Sequence, residues 1–388
     1  MQKRRWHVHH LITRLELGGA QQNTLYCVRN HDRKVFNVSL GSGIGGVLDA
    51  DARAIPDTDL YWFPGLVREV SPAKDIPFLV KYVKFLKKNR VDILHTHSSK
   101  AGILGRLAAA IARVPVVVHT VHGWGFHDYQ SAPVRAFYTG LERMMAPLTD
   151  TLIAVSRENI SRGLRAGIGH HTQYQLIHSG IDVAEFAKPS RPRNATRKGL
   201  GIPVDAKVVG TVGNFKAQKA PLDFVRAAAL IVKSVPDAWF VMAGDGELRK
   251  EAEDLAEKLG IQKRVVFAGW RRDIPDLLAS FDLFALSSLF EGLPRSVLQA
   301  HSAGLPIVAT DAGGSAEAVQ DGITGYIVRP HDINGFSARI ISILKDPIRA
   351  REMGEAGRKA IGDDFEISRM LKDIEEKYLA LATLKRLV

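Results

Sequence analysis

The chain of 388 residues contains a single cysteine, Cys27. This excludes an intramolecular disulfide and any zinc site built on cysteines, and it fits a reducing cytoplasm. Long apolar runs are also lacking. The most apolar window, residues 101–118, is broken by Arg106, Arg113 and Pro115. A spanning helix needs about 20 mostly apolar residues, so no transmembrane segment is expected. The basic start, MQKRRWHVHH, leads into no apolar stretch of the kind a secretory signal carries. No HExxH or CxxC pattern occurs, so neither a metal nor another cofactor is expected. Basic residues are plentiful, but no helix-turn-helix, zinc-finger or RNP-like pattern accompanies them, so nucleic acid is not an expected partner. Internal repeats and low-complexity tracts are absent as well.

What is present describes an ordinary globular chain, 46% hydrophobic and 24% charged. At roughly 100–200 residues per domain, its length fits two domains. The net charge of +12 is uneven. Residues 1–190 hold 24 Lys/Arg against 15 Asp/Glu, whereas residues 201–388 hold 25 against 26. A basic first half fits an anionic partner such as a membrane surface or a phosphorylated acceptor; the alternative is a solvated basic face with no partner.

Apolar runs alternate with longer amphipathic stretches. Strands are expected at Trp6–Ile12, Val35–Leu40, Ile93–His95, Val116–Thr120, Thr151–Val155 and Tyr174–Ile177, with helices such as Pro77–Lys88 and Ala101–Ala112 between them. Residues 188–199, KPSRPRNATRKG, hold two prolines and five basic residues and read as a linker. The pattern then restarts at Val208–Val212, Ala238–Ala243, Arg264–Phe267, Leu283–Leu286, Pro306–Thr310 and Gly325–Val328, and the tail from Phe365 to Leu387 reads as a helix. The expected class is α/β with parallel sheets: a Rossmann-like domain over 1–187, a linker over 188–199, a second such domain over 200–365, and a final helix over 366–388.

In open α/β sheets, ligands bind outside the carboxyl ends of the strands. Four loops of the second half fit that place. GNFKAQKAP puts Gly213 and Asn214 at a strand exit and Lys216 and Lys219 before a helix, either as an anion site or as two solvated lysines. AGDGELR flanks Asp245 with Gly244 and Gly246, whose missing side chains let a ligand approach the backbone. SSLFEGLPRSVLQA turns into a helix at Glu291, with Gln299 about two helical turns on; its carboxylate suits sugar hydroxyls, and the amides from Gly292 to Val297, including Leu293 and Ser296, suit phosphate or sugar oxygens. Gly313 and Gly314 open a fourth loop. In the first half, Gly18 and Gly19 open a helix after a strand, His95 and His97 end another, and His119, His122 and His127 cluster in VHTVHGWGFHD. Three histidines at one strand end raise the thought of a metal, against which stands the lack of any metal-binding spacing.

Taken together, these loops resemble the retaining glycosyltransferases of family 4, over nearly the whole chain. VGTVGNFKAQKAPLDF, AGDGELR, ALSSLFEGLPRSVLQAHSAGLPIVAT and GGSAEAVQDGITGYIV match in order and spacing, as do GGAQQ, HTHSSKAGILGR, HTVHGWGFH and IHSGID. The resemblance implies the GT-B fold: two facing Rossmann-like domains, a cleft between them, and a last helix that returns to the first domain. It implies that Glu291 contacts the hydroxyls of the donor sugar, that Gly292 and Leu293 offer amides, and that Lys219 grips the diphosphate. It also places His122 at the donor sugar near its anomeric centre, and Gly18 and Gly19 near the β-phosphate or the acceptor. Two positions depart from the family pattern. Gln299 stands where a second glutamate would hold the ribose diol, and Asn214 where an arginine is usual, with Lys216 two residues on to supply charge.

The implied reaction is metal-independent transfer of a hexose from a UDP- or GDP-linked donor to a glycan or lipid-linked acceptor in cell-surface polysaccharide assembly. No carboxylate pair of the glycosidase kind is present. An epimerase of the same fold and a non-catalytic nucleotide-sugar binder are the competing readings. Lys81, Lys84 and Lys88 share one face of the helix expected from Pro77, with Lys87 and Arg90 beside them, and Phe78, Val80, Val83 and Phe85 are expected to supply apolar surface. A cytoplasmic enzyme resting on the inner face of an anionic membrane is the reading that follows.

Overall fold

A computed structural model of the chain describes residues 4–385. It divides into two compact units, Met1–Ser179 with Ser368–Val388, and Gly180–Ile367. Among the described residues, each unit is built on one sheet whose strand pairs all run parallel.

The first unit orders its strands β3-β2-β1-β4-β5-β6-β7. They are β1 (Trp6–Ile12), β2 (Phe36–Ser42), β3 (Asp59–Trp62), β4 (Ile93–His97), β5 (Val116–Val121), β6 (Thr151–Ala154) and β7 (Tyr174–Leu176). The second orders β10-β9-β8-β11-β12-β13, from β8 (Lys207–Val212), β9 (Ala238–Ala243), β10 (Val265–Gly269), β11 (Leu283–Leu286), β12 (Ile307–Thr310) and β13 (Gly325–Val328). In both sheets the order reverses beside the first strand, between β1 and β4 and between β8 and β11. Loops leaving the carboxyl ends of those strands diverge there and leave a crevice.

Strands covered on both faces read as continuous apolar runs, and LFAL of β11 and IVAT of β12 are buried throughout. The strand β3 was not expected from the sequence, because it is a four-residue edge strand, half exposed, with no β-branched residue. The helix expected from Pro77 begins at Pro72 and keeps Pro77 inside it. The missing amide costs one backbone bond in an early turn, and burial of Phe78, Tyr82 and Leu86, four residues apart, holds the helix to the core. That packing corrects the expected apolar surface. Phe78 is core, Val83 and Phe85 pack against it, and Val80 alone of the four is exposed, with Ile76 one turn before it. Lys81, Lys84, Lys87 and Lys88 are all exposed.

The segment expected as a linker is folded into the second unit. The Ser190 and Arg191 amides and the Ser190 hydroxyl donate to Asp276. Arg193–Gly199 is helical, and buried Arg197 donates to the carbonyls of Ser280, Val204 and Ala206 and pairs with Asp282 at 2.7 Å. Its basic residues therefore anchor the segment, because a guanidinium has enough donors to satisfy several buried acceptors at once. The chain enters this unit at Gly180 and leaves it at Ile367, where the Ile181 amide donates to the Phe365 carbonyl and the Ile367 amide to the Ile181 carbonyl. A side chain at Gly180 would lie 2.4 Å from the Ile367 Cα. The final helix, Ile367–Leu384, buries Met370, Leu371, Ile374, Tyr378 and Leu381 at helical spacing and belongs, from Ser368, to the first unit. No helix among the described residues is long and apolar enough to cross a membrane.

Candidate active site

In the second unit, the loops leaving β8 and β11 meet at the reversal of strand order. Beyond β8 the chain makes a short turn, Ala217–Lys219, and enters the helix Pro221–Ser234 through Ala220, which holds the left-handed region at φ +43°. Strain of this kind in a residue other than glycine is kept only where the surroundings impose it. Here they do. Leu289 donates its amide to the Gln218 carbonyl at 2.7 Å, Gln218 Nε2 donates to the Phe290 carbonyl, and the Ser287 hydroxyl donates to the Lys219 carbonyl. The two loops are thus laced together, and Lys219 Nζ lies 2.5 Å from Glu291 Oε1. The Ser288 hydroxyl donates to the same carboxylate oxygen at 2.6 Å. Both side chains are largely buried, 18% exposed for Lys219 and 8% for Glu291, so the structure brings these two expected site residues into direct contact.

Glycines set the distances around this pair. Gly313, at φ +65°, bridges Glu291, and a Cβ there would sit 2.6 Å from the Glu291 carbonyl. A Cβ on Gly314 would meet the Gly292 carbonyl at 1.9 Å. The fourth loop therefore supports the Glu291–Gly292 turn from behind. Gly213 lets the Lys219 stem lie across it, its missing Cβ being 3.4 Å from Lys219 Cε. The GDG loop behaves differently from the sequence expectation. The missing side chains of Gly244 and Gly246 make room for the backbone of Gly213 and Phe215, at 1.9 and 2.8 Å. Phe215 donates its amide to the Asp245 carbonyl, and the Asp245 carboxylate receives Arg249 at 2.8 Å and the Gly246 amide. Asp245 and Gly246 brace the first loop.

The helix after Glu291 spans Arg295–Ser302. Its Val297 amide is already given to the Pro294 carbonyl and its side chain is core, which corrects the expectation of an available amide there. The amides that head the turn are those of Gly292, Leu293 and Ser296. Gln299 is half-buried and is the fifth residue of this helix, little more than one turn in. Asn214 lies at the strand exit with its Oδ1 buried and in no hydrogen bond among the described residues. Lys216 precedes the short turn and is half-buried.

The first unit's expected residues sit at the same end of their own sheet. Gly18 precedes the helix Gly19–Asn30 in extended backbone that any residue adopts, so the fold itself does not demand glycine there. His122 follows β5 and is half-buried, its Nε2 lying 3.2 Å from Nδ1 of His97. Of the three histidines in HTVHGWGFH, His119 lies inside β5, bonded to Thr96 and packed where a Cβ on Gly102 would touch it at 2.5 Å; it is a core residue. The histidines that do assemble are His10, His31, His95 and His97. His10 bonds His97 and His31 at 3.0 Å each, and His95 bonds Thr120 and Tyr378. His31 bonds Glu375 of the final helix at 2.8 Å. Burial pushes His10, His95 and His97 well below the usual imidazole pKa, and lowers His31 against the pull of Glu375. One nitrogen from each of His10, His95 and His97 lies within 4.8 Å of the others, the one group of this kind among the described residues. Ser98, next in chain, is strained at φ 65°, ψ 152°, and its hydroxyl is tied to Thr13. The sequence reading missed His10, His31, Glu375 and Tyr378, because the pairing of His10 with His95 is a matter of strand register.

Residues 17–185 match the family described as Glycosyltransferase Family 4, and residues 192–360 match Glycosyl transferases group 1. Over 376 residues, 95% of either chain, the sequence is 34% identical to the UDP-Gal:alpha-D-GlcNAc-diphosphoundecaprenol alpha-1,3-galactosyltransferase of Escherichia coli. The chain belongs to glycosyltransferase family 4. This glycosyltransferase is also 31% identical over 306 residues to the putative glycosyltransferase EpsD of Bacillus subtilis, covering 76% of this chain and 78% of that one. Among solved structures it resembles HepE of Anabaena in complex with UDP and glucose, with a TM-score of 0.82, 22% identity, and coverage of 97% and 100%. A sucrose-phosphate synthase of Thermosynechococcus elongatus gives 0.84 at 21% identity, with coverage of 98% and 100%. The glycosyltransferase therefore has the GT-B fold expected from its loops.

Proposed function

We propose that this glycosyltransferase moves a hexose from a UDP-linked donor to a lipid-linked glycan acceptor, with retention at the anomeric carbon and without a metal. The contact between Lys219 and Glu291 at the strand-order reversal carries the reading. It sets a cation suited to a diphosphate beside a carboxylate suited to sugar hydroxyls, the two parts of a nucleotide sugar that meet at the reacting bond. Lys219 grips the diphosphate, with Lys216 and the amides of Gly292, Leu293 and Ser296 around it. Glu291 receives hydroxyls of the sugar, Gln299 the ribose, and Asn214 Oδ1 is a further acceptor at the strand exit. His122 faces the sugar, and Gly18 and Gly19 admit the phosphate or the acceptor. UDP is favoured over GDP because HepE was solved with UDP-glucose and the E. coli relative is named for UDP-Gal. The latter's name also supports an acceptor on a polyprenyl diphosphate.

In the reaction, the bond from the anomeric carbon to the β-phosphate oxygen breaks, and its electron pair stays on that oxygen. The acceptor oxygen bonds the anomeric carbon on the same face and passes its proton to the departing phosphate. Charge grows on the phosphate as the sugar gains cationic character, so fixed positive charge at Lys219 and the helix-end amides lowers the barrier.

Lys81, Lys84, Lys87 and Lys88, with Ile76 and Val80 exposed on the same helix, support attachment to the cytoplasmic face of an anionic membrane. The helix Ala132–Met145 likewise exposes Val134, Phe137 and Met144 beside Arg135 and Arg143. Assay of the purified protein with UDP-hexoses and a polyprenyl diphosphate-linked GlcNAc tests the reading. The expected product carries a new α-linked hexose. Conversion of the donor without acceptor would establish an epimerase instead, and tight donor binding with no turnover a non-catalytic binder. Sedimentation with anionic vesicles at low salt checks the membrane part, which fails if the protein stays in the supernatant.

A further inference from the structure

We infer that Glu375 acts through three buried imidazoles to fix which nitrogen of His122 carries its proton. The inference rests on the proposed role of His122 only for its effect on turnover. The side chains form a continuous chain: Glu375 Oε1 to His31 Nδ1 at 2.8 Å, His31 Nε2 to His10 Nε2 at 3.0 Å, His10 Nδ1 to His97 Nε2 at 3.0 Å, and His97 Nδ1 to His122 Nε2 at 3.2 Å.

A carboxylate only accepts, and a neutral imidazole carries one donor and one acceptor nitrogen. His31 therefore donates from Nδ1 to Glu375, and its Nε2 accepts from Nε2–H of His10. His10 Nδ1 accepts from Nε2–H of His97, and His97 Nδ1 accepts from Nε2–H of His122. Each ring keeps one proton, every bond has a donor, and the polarity set at Glu375 reaches the far end. His122 thus carries its proton on Nε2, and its Nδ1 is an acceptor, able to receive a hydroxyl hydrogen of the transferred sugar.

Three further observations support the relay. Burial holds His31, His10 and His97 neutral, as one proton per ring requires. The Asp32 amide also donates to Glu375 Oε1, which keeps that oxygen an acceptor. The neighbouring His95 has both nitrogens engaged, with Tyr378 and Thr120, and does not interrupt the chain. The same bonds weigh against a metal at His10, His95 and His97, because an ion would take lone pairs that the hydrogen bonds already use.

Long-range proton–nitrogen NMR of the protein with labelled histidine reads the tautomer of His122 directly. The wild type and Glu375→Gln, whose amide oxygen still accepts, should both show Nε2–H. Glu375→Lys places a donor at the head of the chain, so each proton should move to the other nitrogen and His122 should show Nδ1–H. An acceptor lost at the sugar should then lower kcat about ten- to a hundredfold while the donor KM stays within about threefold. Glu375→Leu removes the anchor without adding a charge and serves if the lysine variant does not fold; it should give mixed tautomers and an intermediate kcat. A His122 tautomer unchanged in both the lysine and leucine variants overturns the relay. So does one equivalent of bound metal in the wild type by plasma mass spectrometry. A tautomer that follows Glu375 while kcat does not would uphold the relay and overturn the sugar-facing role of His122.

Discussion

The two units share a plan, a parallel sheet whose order reverses beside its first strand, yet they put their polar groups in different places. In the second unit β11 is apolar throughout and β12 carries only Thr310 as a polar residue, and Lys219, Glu291 and Gln299 stand on loops or helices beyond the strands. In the first unit the polar groups are inside the sheet: His9 and His10 in β1, His95 and His97 in β4, and His119 in β5, all buried. A site carried on loops is uncoupled from the core that supports it. A site continuous with buried imidazoles shares its fate with the stability of the sheet.

The largest expected effect tests the uncoupled side. Glu291→Ala should lower transfer about a hundredfold or more if, as proposed, the carboxylate receives the sugar at the reacting end. Binding of UDP, by calorimetric titration, should be no weaker, since the Lys219 ammonium is no longer shared with a carboxylate. A marked loss of UDP affinity would show that Glu291 serves the nucleotide instead. Next comes Lys219→Ala, which removes the charge-assisted bond proposed to the diphosphate, of about 1.5–3 kcal/mol. UDP affinity should fall about ten- to a hundredfold, with the unfolding of the first unit unmoved; unaltered UDP binding rules out Lys219 as the diphosphate ligand.

Acid tests the coupled side. His10, His31, His95, His97 and His119 are all held below the ordinary imidazole pKa, and His9 is lowered to about 3, chiefly by burial. In the unfolded chain these groups take up protons near pH 6.5, and in the folded chain only at lower pH. Below about pH 6.5 the unfolded state therefore binds more protons, so the stability these groups contribute is present above that pH and is lost as pH falls. In the second unit burial lowers His301 in the same way, to about 4. Scanning calorimetry from about pH 7.5 to 5 should move the transition of the first unit down more than that of the second, identified by its response to UDP. Equal movement would mean that the buried imidazoles are not what distinguishes the two. The smallest effect is expected at Gln299→Glu. A charged acceptor for the ribose should tighten the donor a fewfold at most, because this side chain is half-buried and near solvent. An unchanged donor KM would assign Gln299 a packing role.

Much of this was readable from local pattern. Of the strands read from the sequence, Trp6–Ile12, Ala238–Ala243, Leu283–Leu286 and Gly325–Val328 have the observed bounds, because buried parallel strands are apolar and end at turn residues. The Lys219 and Glu291 loops were legible for the same reason: a strand exit, a glycine and a helix start have local chemistry. The misreadings also have physical causes. Residues 188–199 looked like a linker because their anchoring is done by Arg197 on carbonyls far along the chain, which composition does not reveal. The glycines around Asp245 looked like a ligand approach, although the approaching group is the backbone of Phe215.

The sequence by itself determined two α/β units and the loops that carry a cation and a carboxylate, since periodicity and turn chemistry act over a few residues. Which histidines meet was decided only in three dimensions. His10 reaches His97 through the register of β1 on β4. His31 reaches Glu375 across 344 residues because the final helix returns to the first unit. Contacts of that range leave no local pattern; they follow from burying the apolar face of the helix, which brings its glutamate to the imidazoles.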